Sequence, residues 1–236
     1  MSTTSFAAVI VAGGSGSRMR ANMPKQFLPL QGKPVLWHTI RAFLQFDARM
    51  PLVVVLPEQY IDYWQAEWQK IEPEMPFVCV PGGATRCHSV WNGLQALAQR
   101  LGASEKSTLV GVHDGARPLV DTALLERAFT MAANHGSAIP AVPLKDSIRE
   151  VTPTGTHRAL DRSCFRLVQT PQVFRLQDLL EAYRQAWLAG DMERFTDDAS
   201  VMEAAGHRLC LVEGDYRNLK ITTAEDLLIA SALLSK

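Results

Sequence analysis

The stretch Phe6-Ala7-Ala8-Val9-Ile10-Val11-Ala12-Gly13-Gly14-Ser15-Gly16-Ser17-Arg18-Met19 decides the fold. Its unbroken apolar run is that of a strand covered on both faces, as in a parallel sheet. The run passes straight into a glycine cluster, and in open α/β sheets ligands bind at the carboxyl ends of the strands. Glycines at such a place let the backbone take positive φ and approach a phosphate closely, with successive N–H groups aimed at anionic oxygens. The cluster is not a P-loop, which ends in Gly-Lys-Ser/Thr. Nor is it the dinucleotide fingerprint, which needs a third glycine where Met19 stands. A tight turn after an edge strand also fits the glycines alone, but their company favours a polyphosphate. Arg18 follows at once, and Pro24-Lys25-Gln26-Phe27 comes a short segment later. Pro24 stiffens the turn that carries Lys25; an arginine grips two phosphate oxygens, whereas a lysine acts as a point charge.

Working outward, Val- and Ile-rich runs alternate with segments of helical period, which predicts an α/β fold with a mostly parallel, Rossmann-like sheet flanked by helices. Strands are expected at Phe6 to Ala12, Leu52 to Leu56, Phe77 to Val80, Thr108 to Val112, Ala138 to Val142 and Leu209 to Val212. Helices are expected at Val35 to Phe46, Ile61 to Ile71, Ser89 to Leu101, Ala123 to Asn134, Leu176 to Leu188, Ala199 to Ala205 and Ala224 to Leu234. The alternation breaks between Lys145 and Gln172. There Glu150-Val151-Thr152-Pro153-Thr154-Gly155-Thr156 sets a Pro and a Gly between possible strand arms, which reads as a projecting β-arm at about 145–172. An arm that cannot bury itself needs a partner, so a homodimer is expected.

The 236 residues are read as one domain, 1–236; they carry 24 Lys+Arg against 24 Asp+Glu and are 47% hydrophobic. A neutral chain of this kind is no electrostatic nucleic-acid binder. No apolar run approaches the roughly 18 residues that span a bilayer, and Met1-Ser2-Thr3-Thr4-Ser5 lacks a signal-peptide pattern, so a cytoplasmic protein with no membrane partner is expected. Cys79, Cys87, Cys164 and Cys210 are scattered singly. Cys87-His88 places two potential ligands side by side, whereas metal motifs separate theirs by a few residues, so packing is the reading for this pair.

Further motifs make the chain recognisable. Gly82-Gly83-Ala84-Thr85-Arg86-Cys87-His88-Ser89, His113-Asp114-Gly115-Ala116-Arg117-Pro118, Asp161-Arg162, Thr170-Pro171-Gln172, Thr196-Asp197-Asp198-Ala199 and Asn218-Leu219-Lys220 follow the glycine loop in order. Together with it they resemble the 2-C-methyl-D-erythritol 4-phosphate cytidylyltransferase family of sugar-phosphate nucleotidyltransferases. The resemblance implies the nucleotide-diphospho-sugar transferase type of sheet, a homodimer joined through the β-arm, dependence on Mg2+ and a place in the non-mevalonate route to isoprenoid precursors. The implied substrates are CTP and 2-C-methyl-D-erythritol 4-phosphate. The implied catalytic cations are Arg18, Lys25, Arg162 and Lys220. CTP falls to Ala12, Gly13, Gly14, Ser15, Gly16, Gly82, Gly83, Arg86, Ser89, Asp114 and Arg117, and Asp114 is the position nearest a metal, directly or through water. The polyol phosphate falls to Ser147, Arg162, Thr170, Thr196 and Lys220. Ser147 departs mildly from the family's usual Thr and keeps a hydroxyl.

The implied reaction needs little proton chemistry, because the attacking phosphate oxygen is already an anion near neutral pH. That agrees with the lack of an activated Ser, Cys or His constellation in the sequence. Two rivals are a cytidylyltransferase for another polyol phosphate, such as ribitol 5-phosphate, and an inactive nucleotide-binding scaffold. The order Asp161-Arg162 leans towards methylerythritol, and retention of Arg18, Lys25, Arg162 and Lys220 speaks against a scaffold.

Overall fold

A computed structural model describes residues 5–13, 23–102 and 107–235. In chain order the elements are β1 (Ser5–Val11), β2 (Pro29–Leu30), β3 (Lys33–Pro34), α1 (Val35–Phe46), β4 (Leu52–Leu56), α2 (Ile61–Gln69) and β5 (Phe77–Pro81). Then come α3 (Arg86–Leu101), β6 (Thr108–Asp114), α4 (Thr122–His135), β7 (Ser137–Pro143), β8 (Ile148–Val151), β9 (His157–Leu160) and β10 (Arg166–Val168). The chain continues through β11 (Gln172–Arg175), α5 (Leu176–Ala189), α6 (Asp198–Ala204), β12 (Leu211–Glu213) and α7 (Ala224–Leu234).

The central sheet runs β10-β7-β11-β6-β1-β4-β5, with β12 also paired to β7. β1 lies parallel to β4 and β6, and β4 parallel to β5. Alternation along β1 sends Ala8 and Ile10 into the core beneath α1, α2 and α4, and Ala7 and Val9 into the core beneath α3 and α5. Both faces are therefore dry, which is why the strand reads as continuous apolar sequence. This arrangement brings the carboxyl ends of β1 and β6 side by side, with Val11 opposite Asp114.

Each expected strand and helix is present; Leu52–Leu56, Val35–Phe46 and Ala224–Leu234 have the expected ends, and the others are shifted by one to three residues at one or both ends. Helix α3 starts at Arg86 rather than Ser89, because the Thr85 hydroxyl accepts the His88 backbone N–H at 3.3 Å and caps it. The excursion holds more structure than expected. β8 and β9 form an antiparallel hairpin apart from the central sheet, but β10 returns to pair with β7. β11, inserted antiparallel between β6 and β7, was not expected at all. No helix among the described residues is long and apolar enough to cross a membrane.

Gly93 lets α3 press against β1 and β4. A Cβ there would lie 2.5 Å from Val9 Cγ1 and 2.8 Å from Val55 Cγ2, both in fully buried residues. Ala is the better helix former by about 1 kcal/mol, yet overpacking costs about 1–3 kcal/mol. Gly93→Ala is therefore expected to destabilise the protein, read as a lower urea midpoint with an unchanged m-value. A raised midpoint would show that the helix can move away without loss.

Candidate active site

A cavity of about 420 Å³ opens where the chain leaves β1, β5 and β6, and Ala12, Gly83, Arg86 and Asp114 are among its walls. That volume suits a nucleotide-sized ligand. Backbone bonds fix its floor: Ala12 N–H donates to Val55 O at 2.8 Å, Gly82 N–H to Leu56 O at 2.7 Å and Gly115 N–H to Val11 O at 2.8 Å. The turn bearing Lys25 is tied to the same floor, because buried Gln26 donates its Nε2–H to Ala12 O at 2.6 Å. Lys25 thus enters the cavity wall on a turn anchored to Ala12, at the end of β1.

Asp114 organises the cations. Its carboxylate accepts from Lys220 Nζ at 2.8 Å and from Arg86 Nε at 3.4 Å, and Arg117 Nε stands 3.5 Å away. The Arg117 contact is coulombic, since its Nε makes no hydrogen bond. Burial alone would raise the Asp114 pKa, but Arg86, Lys220 and Arg117 outweigh it and hold the carboxyl well below the usual range. Arg86 shows the mirror image: burial pulls its pKa down, and Asp198 and Asp114 more than restore it. Burial lowers that of Arg117, with Asp114 offsetting part of the loss.

The Asn218-Leu219-Lys220 motif works by anchorage. Asn218 is fully buried and donates its Nδ2–H to Thr170 O at 2.8 Å, while Arg117 donates to Asn218 O at 2.8 Å. Ile221 N–H closes the segment on Ala116 O at 2.8 Å, which leaves Lys220 aimed at Asp114.

On the opposite wall Ser89 lies under the glycines. Its Oγ accepts the Gly83 N–H at 3.0 Å and donates to Thr85 O at 3.0 Å. A Cβ at Gly82 would come within 3.0 Å of that oxygen, and one at Gly13 within 3.1 Å. A Cβ at Gly83 would collide with His88. Neither Gly13 nor Gly82 nor Gly83 has positive φ. Of the two uses expected of the glycines after β1, Gly13 shows close approach and not positive φ, and Gly82 and Gly83 likewise serve close approach.

Of the residues singled out in the sequence, Ala12, Gly13, Lys25, Gly83, Arg86, Ser89, Asp114 and Lys220 line the cavity. Gly82 and Arg117 make the supporting contacts just described. Gly14, Ser15, Gly16 and Arg18 lie outside the described residues. Thr170 is buried, and its hydroxyl accepts the Asp114 N–H at 3.0 Å and bonds His113 Nδ1 at 3.1 Å. Ser147, Arg162 and Thr196 are exposed and do not line the cavity within one chain. Arg162 instead donates to Lys145 O at the foot of the arm. Cys87 is buried against Met192, its thiol pushed up to about 11 chiefly by burial, as packing predicts. Sequence reasoning missed the anchors Gln26, Asn218 and Asp198; each sits inside a quoted motif, but single-sequence reading does not distinguish an anchor from a ligand.

Among the described residues no group of three or more His, Cys, Asp or Glu gathers as a metal site. Asp114 is the acidic residue of the cavity wall, and its two oxygens already face cations. This donor set does not fit a resident magnesium ion.

An open α/β sheet with a cation-lined cavity at its strand ends is an architecture suited to anionic ligands such as nucleotides, and comparison with known proteins makes the chain a nucleotidyltransferase. The family model described as IspD, 2-C-methyl-D-erythritol 4-phosphate cytidylyltransferase, matches residues 6–236, and the chain belongs to that family. A protein of that name from Bacteroides thetaiotaomicron is 45% identical over 226 residues, covering 96% of this chain and 98% of its own length. One from Geobacillus thermodenitrificans is 39% identical, covering 98% of this chain and 97% of its own. The crystal structure of the Thermus thermophilus protein of that name superposes with a TM-score of 0.77 at 33% identity, covering 98% of this chain and 100% of that one.

His113 is fully buried behind the site, and burial lowers its pKa to about 4 from 6.5. A base whose folded pKa lies below its unfolded one leaves the unfolded chain binding the extra proton between those values. Stability supplied by neutral His113 is therefore complete above about pH 6.5 and is lost as pH falls towards about 4. Urea unfolding across that window should show a steeper fall for the wild type than for His113→Gln. Equal slopes would remove His113 as the cause.

Proposed function

We propose that the chain, acting as one domain over residues 1–236, transfers CMP from CTP to 2-C-methyl-D-erythritol 4-phosphate, releasing pyrophosphate. One observation carries this reading: fixed cations meet in a cavity whose described walls offer no poised proton acceptor, since the Asp114 carboxylate among them is engaged by Arg86 and Lys220 and held well below the usual range. Lys25, Arg86 and Lys220 line it, while Ser89 is committed to Gly83 and Thr85. His113 stands outside the lining with both ring nitrogens engaged, Nε2 on Arg117 O at 3.2 Å and Nδ1 on Thr170.

A polyol phosphate oxygen attacks the α-phosphorus of CTP, its P–O bond forms, and pyrophosphate leaves with the electrons of the broken bond. The nucleophile needs no deprotonation. Charge accumulates on non-bridging oxygens as two anions are forced together, so preorganised cations stabilise the transition state more than the separated reactants. In this reading Ala12, Gly13, Gly14, Ser15 and Gly16 hold the triphosphate, and Arg18 and Lys25 meet the charge that builds on it in the transition state. Gly82, Gly83 and Ser89 meet the cytosine edge, where a mismatched base leaves buried polar groups unpaired. Lys220, held on Asp114, faces the incoming phosphate. Magnesium arrives as the counter-ion of CTP, since it prefers phosphate oxygens and water to a protein cage.

The polyol phosphate requires Arg162, Ser147 and Thr196, none of which lines the cavity of its own chain. We assign the arm to the neighbouring subunit of a homodimer, so that Arg162 completes the partner's site. Exposed Val151, Phe165, Leu167 and Val168 give the arm region an apolar surface that supports burial between subunits. Thr170, with its hydroxyl committed inward, is then a brace for Asp114. The protein is assigned to the cytoplasm.

Pyrophosphate release should require CTP together with the methylerythritol phosphate. Lys25→Ala should lower turnover by roughly a hundredfold while CTP affinity barely changes, the loss expected for one transition-state donor. Unchanged turnover would remove Lys25 from the mechanism, and faster release with ribitol 5-phosphate would reassign the substrate.

If the arm is shared, mixing Arg162→Ala chains with Lys25→Ala chains assembles some intact sites, and activity above either parent is expected. Proven heterodimers without recovery would place Arg162 in its own subunit's site.

A further inference from the structure

The side chain that fixes Arg86 is not in the cavity. Asp198, the first residue of α6, has no exposed surface and does not line the cavity. Its carboxylate takes both terminal nitrogens of Arg86, NH1 on Oδ1 at 3.2 Å and NH2 on Oδ2 at 2.8 Å. Fully buried Tyr183, from α5, donates its hydroxyl to Oδ1 at 2.6 Å. The backbone around Asp198 is itself locked, because Gln172 donates to Asp197 Oδ2 at 2.8 Å and accepts the Ala199 N–H at 2.8 Å. Two quoted motifs are thus joined behind the site.

An Arg guanidinium has five donor hydrogens in a rigid fork. Here the terminal edge faces Asp198, so Nε is the edge left for Asp114 at 3.4 Å. The guanidinium spans two carboxylates, which sets its plane before any nucleotide arrives. Without Asp198 the terminal nitrogens would be free to turn onto a triphosphate and grip it equally in ground and transition states, which does not accelerate the chemical step.

We propose that Asp198, oriented by Tyr183, is a positioning residue for cytidylyl transfer, holding Arg86 against Asp114 and off the ground-state triphosphate. The inference rests on the cytidylyltransferase reading and adds a residue that never touches substrate. Asp198→Asn is the sharp variant. Tyr183 still finds an acceptor in the amide oxygen, but the amide N–H₂ then opposes Arg86 NH2 donor to donor, and a negative charge is gone.

The test combines steady-state kinetics, CTP calorimetry and thermal melting on the full chain. Asp198→Asn is expected to lower kcat roughly 10- to 100-fold, the range for displaced site geometry, while KM for CTP falls. Calorimetry should show CTP bound roughly threefold tighter or better, the worth of one regained hydrogen bond. A purely structural Asp198 would lower the melting temperature and leave kcat, KM and CTP affinity of the folded protein unchanged; that result overturns the proposal, as does a loss expressed only as a higher KM. If Asp198→Asn does not fold, Tyr183→Phe decides, with kcat expected to drop about threefold and an unchanged kcat counting against the role. Wild-type protein without CTP-dependent pyrophosphate release would defeat the function reading alone; the comparison of CTP affinities would still judge Asp198.

Discussion

The arrangement depends on one buried carboxylate. Arg86, Arg117 and Lys220 come from three separate parts of the chain and repel one another; Asp114, 7% exposed, is the counter-charge on which they converge. Like charges in a medium of reduced dielectric interact strongly, so the cluster holds only while Asp114 is ionised, and its pKa is driven down by those same cations. Even with Asp198 behind Arg86, the two carboxylates are outnumbered by the three cations. An anionic substrate completes the neutralisation that the protein leaves unfinished. A fully balanced site would hold together better and bind CTP less.

The position of Asp114 is in turn a property of the sheet. It is the last residue of β6, opposite Val11 in register, so the end of β1 leading into Ala12 and Gly13 and the cation cluster are neighbours by strand pairing. Its N–H is met by Thr170, and Thr170 is linked through its carbonyl to Asn218. The segment between β10 and β11 therefore braces the site, even though Thr170 resembles a substrate ligand in sequence. The chain Asp114 N–H to Thr170 to His113 to Arg117 O runs through the interior and pins both ends of the His113–Arg117 turn.

The sheet was legible because its central strands are buried on both faces and carry uninterrupted Val, Ile and Ala runs; the stretch Leu52 to Leu56 shows this plainly. β11 was illegible for an opposite reason. It is four residues long, begins with Gln172 and ends with exposed Arg175, and its place between β6 and β7 is decided by tertiary pairing rather than by periodicity. The cations Lys25 and Lys220 were legible as members of motifs, and both reach the cavity. Thr170 and Arg162 were equally legible as residues but not as positions. Whether a hydroxyl faces inward, or an arm reaches another subunit, is set by contacts distant in sequence.

Placing the chemistry in fixed charges has a consequence for how the site responds to pH. Burial keeps His113 neutral near pH 7, the Asp114 carboxyl is held far below that pH and the Arg86 guanidinium far above it. These three groups therefore keep their charge across the physiological range, while the second ionisation of a phosphate monoester, with pKa about 6, falls within it. A change of rate with pH near neutrality is then expected to follow the phosphate groups of the two substrates rather than His113, Asp114 or Arg86. Asp114 and Arg86 supply a field that does not titrate in this range, and a site built on two interlocked carboxylates and their arginine is a way of keeping that field still.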